Sequence, residues 1–253
     1  MRSAVAAVVV AALASVTSAH AIPGKRELAT VYTKCTNPNT VAITFDDGPF
    51  MYEEELMGVL ANYSAVATFF LNGNNWACIY DEKPAASVKA LYDAGHELAS
   101  HTFTHMNMSD PAISWDKMHR DMYLMEQALV KITGAMPALL RPPYGAYNDR
   151  ALSAIAHRNM SAIIWDWDSE DSLGKNGTEI KARYDDIIAK KPANILTLNH
   201  SVQKITVKES MPYALDKLKQ AGYTFVKVSE CLGIEPYQFV QEPAARDATW
   251  KCT

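Results

Sequence analysis

The sequence predicts an α/β fold, a closed or nearly closed (β/α) barrel with about seven parallel strands. Three observations lead there. From residue 41 onward, short apolar runs alternate with longer helix-like stretches, the pattern of a parallel sheet flanked by helices. The chain has 253 residues, 49% hydrophobic and 21% charged. That is enough for one sizeable core and too short for two comfortable enzyme domains. Finally, acidic and histidine-bearing motifs follow the strand-like runs, at the end where barrels place their active sites.

Residues 41–45 read as the first strand and 53–62 as the first helix. Residues 65–71 are apolar, β-branched and aromatic, hence strand. Residues 84–94 read as a helix ended by Gly95 at the C′ position. Residues 96–100 are strand-like. Residues 114–133 place Trp115, Met118, Met122, Met125, Leu129 and Ile132 at helical spacing, with Gly134 closing the helix. Helix 149–158, strand 161–166, helix 178–191 before Pro192, strand 195–198, helix 208–222 and strand 223–228 complete the alternation. Residues 235–253 read as an irregular tail tied down by Cys252.

Residues 1–21 have the form of a secretory signal. Arg2 is followed by an apolar run over 4–13 and by Ala19-His20-Ala21, a small-x-small cleavage site. The run is too short to span a bilayer. Residues 22–253 are then expected to form a single catalytic domain, released outside the cell or into the wall, with no membrane partner. A formal charge of −4 offers no basic field for nucleic acid. Cys35, Cys78, Cys231 and Cys252 are widely spaced, without a CxxC, and allow three disulfide connectivities. Five glycosylation sequons occur, at Asn62, Asn107, Asn159, Asn176 and Asn199. Asn199 precedes a candidate catalytic histidine and is not expected to carry a glycan.

No G-x-S-x-G, G-x-G-x-x-G or phosphate-cradling G-x-x-x-x-G-K occurs. Serine-hydrolase, dinucleotide and nucleotide triphosphate chemistry lose support accordingly. What remains is carboxylates and histidines. Asp46-Asp47-Gly48 follows the first strand; adjacent carboxylates repel unless a metal or cation relieves them. Seen alone, such a triplet is more often a solvated turn. His101 and His105 are four residues apart, metal-ligand spacing if they share a helical turn. With one carboxylate they make a site suited to zinc and hydrolysis, or to iron and oxygen chemistry. Arg141-Pro142-Pro143-Tyr144-Gly145 is a stiffened loop whose Arg can pair with a carboxylate. The segment from Trp165 to Asp171 mixes acids and aromatics, as a sugar-binding rim would. His200 ends the strand at 195–198 and, with Asp171 to orient it, is a general-acid candidate.

In this order the five motifs resemble the polysaccharide deacetylase family, carbohydrate esterase family four, over roughly residues 30–230. They are Thr44-Phe45-Asp46-Asp47-Gly48, His101-Thr102-Phe103-Thr104-His105, Arg141-Pro142-Pro143-Tyr144, Asp168-Ser169-Glu170-Asp171 and Leu198-Asn199-His200. Residues 71–76 and 31–36 are most similar to the fungal chitin deacetylases of that family. The resemblance implies a distorted (β/α) barrel with fewer than eight regular units. It implies Asp47, His101 and His105 as metal ligands, for Zn2+ or else Co2+ or another divalent ion. Asp46 is implied as general base, oriented by Arg141, and His200 as general acid, charge-paired to Asp171. The Tyr144 N–H is implied as an oxyanion donor, Leu198 as a wall of the acetyl pocket and Trp76 as a sugar-stacking platform. By similarity to fungal relatives, Cys35 pairs with Cys231, which leaves Cys78 with Cys252. One departure stands out. The fourth motif usually ends Asp-Trp, but Ser172 follows Asp171 here, and Trp167 is the candidate to replace that ring.

The expected activity is removal of N-acetyl groups from chitin or chito-oligosaccharides by a monomer. The alternatives are a xylan O-acetyl esterase, a peptidoglycan deacetylase, or an inactive chitin-binding protein. Adjacent Asp46 and Asp47 do not easily flank a glycosidic bond, which argues against a two-carboxylate glycosidase.

Overall fold

The computed structural model describes residues 27–252; the signal-like segment lies outside them. Strands β1 (Val31–Tyr32), β2 (Thr40–Ala42) and β3 (Thr44–Asp46) are followed by α1 (Glu53–Asn62), β4 (Thr68–Leu71), α2 (Glu82–Asp93) and β5 (Glu97–Ser100). Next come α3 (Trp115–Thr133), β6 (Ala135–Pro137), β7 (Leu139–Leu140), α4 (Asp149–His157), β8 (Ser161–Ile163) and β9 (Trp167–Asp168). The chain ends with α5 (Gly177–Lys190), β10 (Asn194–His200), α6 (Met211–Gln220), β11 (Thr224–Val226), α7 (Val228–Leu232) and β12 (Tyr237–Val240).

The main sheet is parallel throughout. β8 pairs with β7, β7 with β5, β5 with β4, β4 with β3, and β3 with β10. β10 then pairs with β9, which lies just past β8 in the chain. The pairing path therefore returns on itself. Taking β2–β3 and β8–β9 as one stave each, and adding β11 against β2, seven parallel staves carry the fold. Small β1 flanks β8.

Side chains alternate across this sheet, as strand geometry requires. Ala42, Phe70, Ala99, Leu139, Ile163 and Leu196, one from each of six staves, meet in a single interior cluster. Val228, Cys231 and Leu232 of α7 belong to it as well. Phe45, Phe69, Leu71 and Leu98 point the other way, into the layer shared with the helices. Both disulfides form as similarity suggested, Cys35–Cys231 and Cys78–Cys252.

Helix ends follow their residues. Ser114 caps α3, its Oγ accepting Lys117 N–H at 3.2 Å. Asn176 and Glu179 form a capping box on α5. Gly95 and Gly134 are left-handed, as expected of helix stops.

The sequence reading needs three corrections. The first strand is broken at Ile43 into β2 and β3. The α6 region begins two residues early, as a π-type segment over Thr206–Ser210. The tail beyond 235 is not wholly irregular. β12 pairs antiparallel with β6, a hairpin-like partnership of distant segments that local periodicity does not reveal. Asn199 is fully buried, and its amide donates to Thr44 O and Thr197 Oγ1, so it is no glycan acceptor in the folded chain.

Gly134 has φ +81, and a Cβ there would lie 1.8 Å from Gln241 O, in the chain leaving β12. Gly134→Ala should lower the unfolding free energy by more than the ~1–2 kcal/mol of left-handed strain alone. Urea denaturation checks this; a loss under half of that would mean the contact yields easily.

Candidate active site

Each functional side chain sits where a parallel strand ends. Asp46 is the last residue of β3 and is 2% exposed. Asp47 leaves the strand with φ +75, so the two neighbouring carboxylates diverge from one peptide yet reach the same imidazole. His101 Nε2 lies 3.7 Å from Asp46 Oδ2 and 3.6 Å from Asp47 Oδ1. His105 Nε2 lies 3.2 Å from Asp47 Oδ1. The ligand-type atoms of Asp47, His101 and His105 fall within 4.8 Å of one another. Buried Asp47 Oδ1 nevertheless makes no hydrogen bond among the described residues, as a donor aimed at a cation would not. His101 Nδ1 donates to Arg141 O at 2.7 Å, which leaves Nε2 free to ligate. This is a possible site for one divalent metal.

The route to this spacing differs from expectation. His101 and His105 do not share a helical turn. They bracket a loop after β5, in which Thr102 (φ +66) and His105 itself (φ +54) are left-handed. Two reversals in four residues bring the rings to a 5.0 Å centroid separation.

Arg141, at the end of β7, is fully buried. Its Nη1 donates to Asp46 Oδ1 at 2.8 Å and to Thr44 Oγ1 at 2.6 Å, and its Nη2 donates to Ile164 O at 3.0 Å. The guanidinium lies 4.1 Å over the Phe70 ring and 5.5 Å from Trp165. Past the prolines, Tyr144 is left-handed and 69% exposed. Gly145 (φ +63) leaves room for Trp165, whose ring a Cβ would approach to 2.8 Å.

His200 ends β10. Its Nδ1 donates to Asp171 Oδ1 at 2.7 Å, and its backbone N–H to Asp171 Oδ2 at 2.8 Å. Thr206 Oγ1 adds a third bond to that carboxylate at 2.5 Å. Burial would lower the His200 pKa, but the hydrogen bond and charge of Asp171 outweigh it and raise it to about 9. His101 goes the other way: burial pushes its pKa down against the pull of Asp46 and Asp47. Burial would raise the Asp47 carboxyl, yet His105, His101 and His200 hold it at about 2.

Asp46, Asp47, His101, His105, Tyr144, Leu198 and His200 line one cleft of about 330 Å3, together with Trp165, Asp168, Ser172 and Leu173. Arg141 and Asp171 support it from beneath. Trp76 is 48% exposed and packs on Phe50 at 5.2 Å, outside the cleft lining. Trp167 does not replace the motif ring. It packs on Tyr184 at 4.4 Å, against the helix-side core. Trp165, two residues earlier, lines the cleft instead: it lies in the irregular stretch between β8 and β9, so the two-residue strand period does not put it on the face of Trp167. Thr44 stands in the first motif but has no role assigned from sequence, and Thr206 carried no sequence signal, because a lone threonine is common in turns.

The family model for polysaccharide deacetylase matches residues 33–163. A chitin deacetylase of Pestalotiopsis sp is 35% identical over 212 residues, 81% of this chain and 67% of that protein. The chain belongs to the polysaccharide deacetylase family. A chitin deacetylase of Colletotrichum lindemuthianum is 32% identical over 235 residues, 89% of this chain and 93% of that protein. The solved structure of the chitin deacetylase from that fungus superposes with a TM-score of 0.78 at 27% identity, covering 88% of this chain and 99% of that one. The polysaccharide deacetylase model spans the two aspartates, the histidine loop and Arg141. Asp171, Leu198 and His200 lie past its end, within the reach of the longer pairwise matches.

Arg141 and Asp46 are buried as a pair, so removing one should cost far more than removing both. Arg141→Met should destabilise this polysaccharide deacetylase by about 3–5 kcal/mol, and adding Asp46→Asn should restore part of that. Chemical denaturation of the single and double variants checks it. Additive losses would show that the two groups do not compensate each other.

Proposed function

We propose that this chain is a secreted, metal-dependent N-deacetylase acting on N-acetylglucosamine residues of chitin or chito-oligosaccharides and releasing acetate. The observation that carries the reaction class is the convergence of a three-residue metal site, a buried carboxylate and a carboxylate-paired histidine in one cleft. Chitin as substrate rests on the chitin deacetylases it is similar to. Two disulfides fit an oxidising compartment, and no helix among the described residues is long and apolar enough to cross a membrane.

Asp47, His101 and His105 would hold the ion, with Zn2+ the best match to an O,N,N donor set of hydrolytic type. Such an ion supplies Lewis acidity that polarises the amide carbonyl and acidifies water. Asp46, fixed by Arg141, takes the proton of the attacking water. The Tyr144 N–H lies in the loop at the cleft rim and serves as a donor to the developing oxyanion, a contribution of about 3–4 kcal/mol when such a donor is lost. Amines leave poorly unless protonated, and His200 carries the proton that the nitrogen receives. Asp171 keeps His200 charged. Leu198 bounds the acetyl methyl, and exposed Trp76, packed on Phe50 outside the cleft lining, offers a face on which a further sugar can stack.

Chelator-treated protein should release no acetate from N-acetylglucosamine oligomers, and added zinc should restore acetate with equal free amine. Acetate from acetylated xylan alone, with free hydroxyl, would make the chain an O-esterase. Asp46→Asn and His200→Ala should each lower turnover by at least about 100-fold while retaining metal; full activity in either removes that residue from its role.

The His200 pKa is raised from 6.5 to about 9, so the protonated acid persists at neutral pH and is lost as pH climbs through about 9. The rate should therefore fall on that alkaline limb. Asp171→Asn should bring the limb to lower pH. An unmoved limb would mean another group titrates there.

A further inference from the structure

The loop from His101 to His105 has a shape that its own residues do not favour. Two left-handed non-glycine residues in four cost about 1–2 kcal/mol each, and such strain persists only when the surroundings impose it. Two side chains from outside the motif do so. Asn72, just past β4, donates through Nδ2 to His101 O at 2.6 Å and to Thr102 O at 2.9 Å. Asp121, in the middle of α3, accepts everything the loop offers from the other side. Its Oδ2 takes the Phe103 N–H at 2.7 Å and the Thr104 N–H at 3.1 Å, and its Oδ1 takes Thr104 Oγ1–H at 2.8 Å. Asp121 is 5% exposed and makes no salt bridge among the described residues. A buried carboxylate is expensive to desolvate, and among the described residues its hydrogen bonds go to the three donors between the two histidines.

We propose that Asp121 is a positioning residue for the metal site: by fixing the backbone of residues 103–104, it sets the separation and aim of the His101 and His105 imidazoles. The inference rests on the metal-dependent reading above and extends it to a residue no motif contains. Asparagine at this position keeps the shape, but it has one accepting oxygen where the carboxylate has two, and it lacks the negative charge that strengthens all three bonds.

The test is metal binding, with no substrate involved. Apoprotein is titrated with Zn2+ against a chromogenic chelator, the Co2+ form is examined by visible spectroscopy, and thermal unfolding of the apoprotein is followed in parallel. Asp121→Asn should weaken Zn2+ binding by about 10–100-fold, the range for partners that orient metal ligands. It should also alter the Co2+ bands. Thr104→Val removes one of the three bonds from an exposed position and should give a smaller loss in the same direction; it carries the test if Asp121→Asn does not fold. A residue that only stabilised α3 would lower the unfolding temperature and leave affinity and spectrum unchanged, and that result overturns the inference. Wild-type protein that takes up no metal overturns the metal reading itself, and the inference with it.

Discussion

The buried pair of Arg141 and Asp46 is the constraint from which the rest of the site follows. A guanidinium with no solvent exposure is tolerable only when paired and hydrogen-bonded. Arg141, just after β7, finds its partners on two other staves: Asp46 and Thr44 on β3, beyond β5 and β4 along the pairing path, and Ile164 O after the adjacent β8. Phe70, from the interior apolar layer, lies flat beneath it. The cation thus closes the top of the apolar interior and begins the polar cleft. Its backbone carbonyl also receives the His101 Nδ1–H, so one residue sets both the carboxylate and one imidazole of the site. The network continues away from the cleft through Thr44 to Thr197 O, and from Thr44 O through Asn199 to the Tyr184 hydroxyl. Burial on this scale favours a single arrangement over many near ones, because any slip leaves a charge unpaired.

Two histidines show how environment divides labour within one residue type. His200 faces a carboxylate that accepts from both its ring and its backbone, and it holds a proton. His101 faces a carbonyl and is enclosed, which favours the neutral ring with a lone pair on Nε2. Neither role belongs to histidine as such. Each is set by the acceptor on Nδ1.

Much of this was legible in the sequence because it lay in strand-end motifs. Asp46, Asp47, His101, His105, Arg141, Asp171, Leu198 and His200 were all singled out, and all come together at the cleft or directly beneath it. The alternation of strands and helices was equally plain, since each stave buries both faces and reads as an apolar run. What escaped was non-local. The β6–β12 pairing joins segments roughly a hundred residues apart. The shape of the histidine loop depends on Asp121, which in the sequence is one polar residue on an amphipathic helix. Trp167, the candidate to replace the missing ring, faces the helices, and Trp165 lines the cleft. In an extended segment, neighbours two apart share a face only while the strand runs unbroken, and the interruption between β8 and β9 resets that register.

The tail of the chain bears on when the site comes into being. Cys252 is bonded to Cys78, and the hairpin-like loop before Cys78 presents the Gly73 and Asn74 N–H groups to Phe103 O, in the middle of the histidine loop. A nascent chain emerges N-terminus first. All ligands and proton-bearing groups are therefore synthesised some fifty residues before the last brace on the loop that holds them. The disulfide that ties down the loop before Cys78 can therefore close only after every candidate ligand and proton-bearing group has already been made, so this brace comes late in the order of the chain.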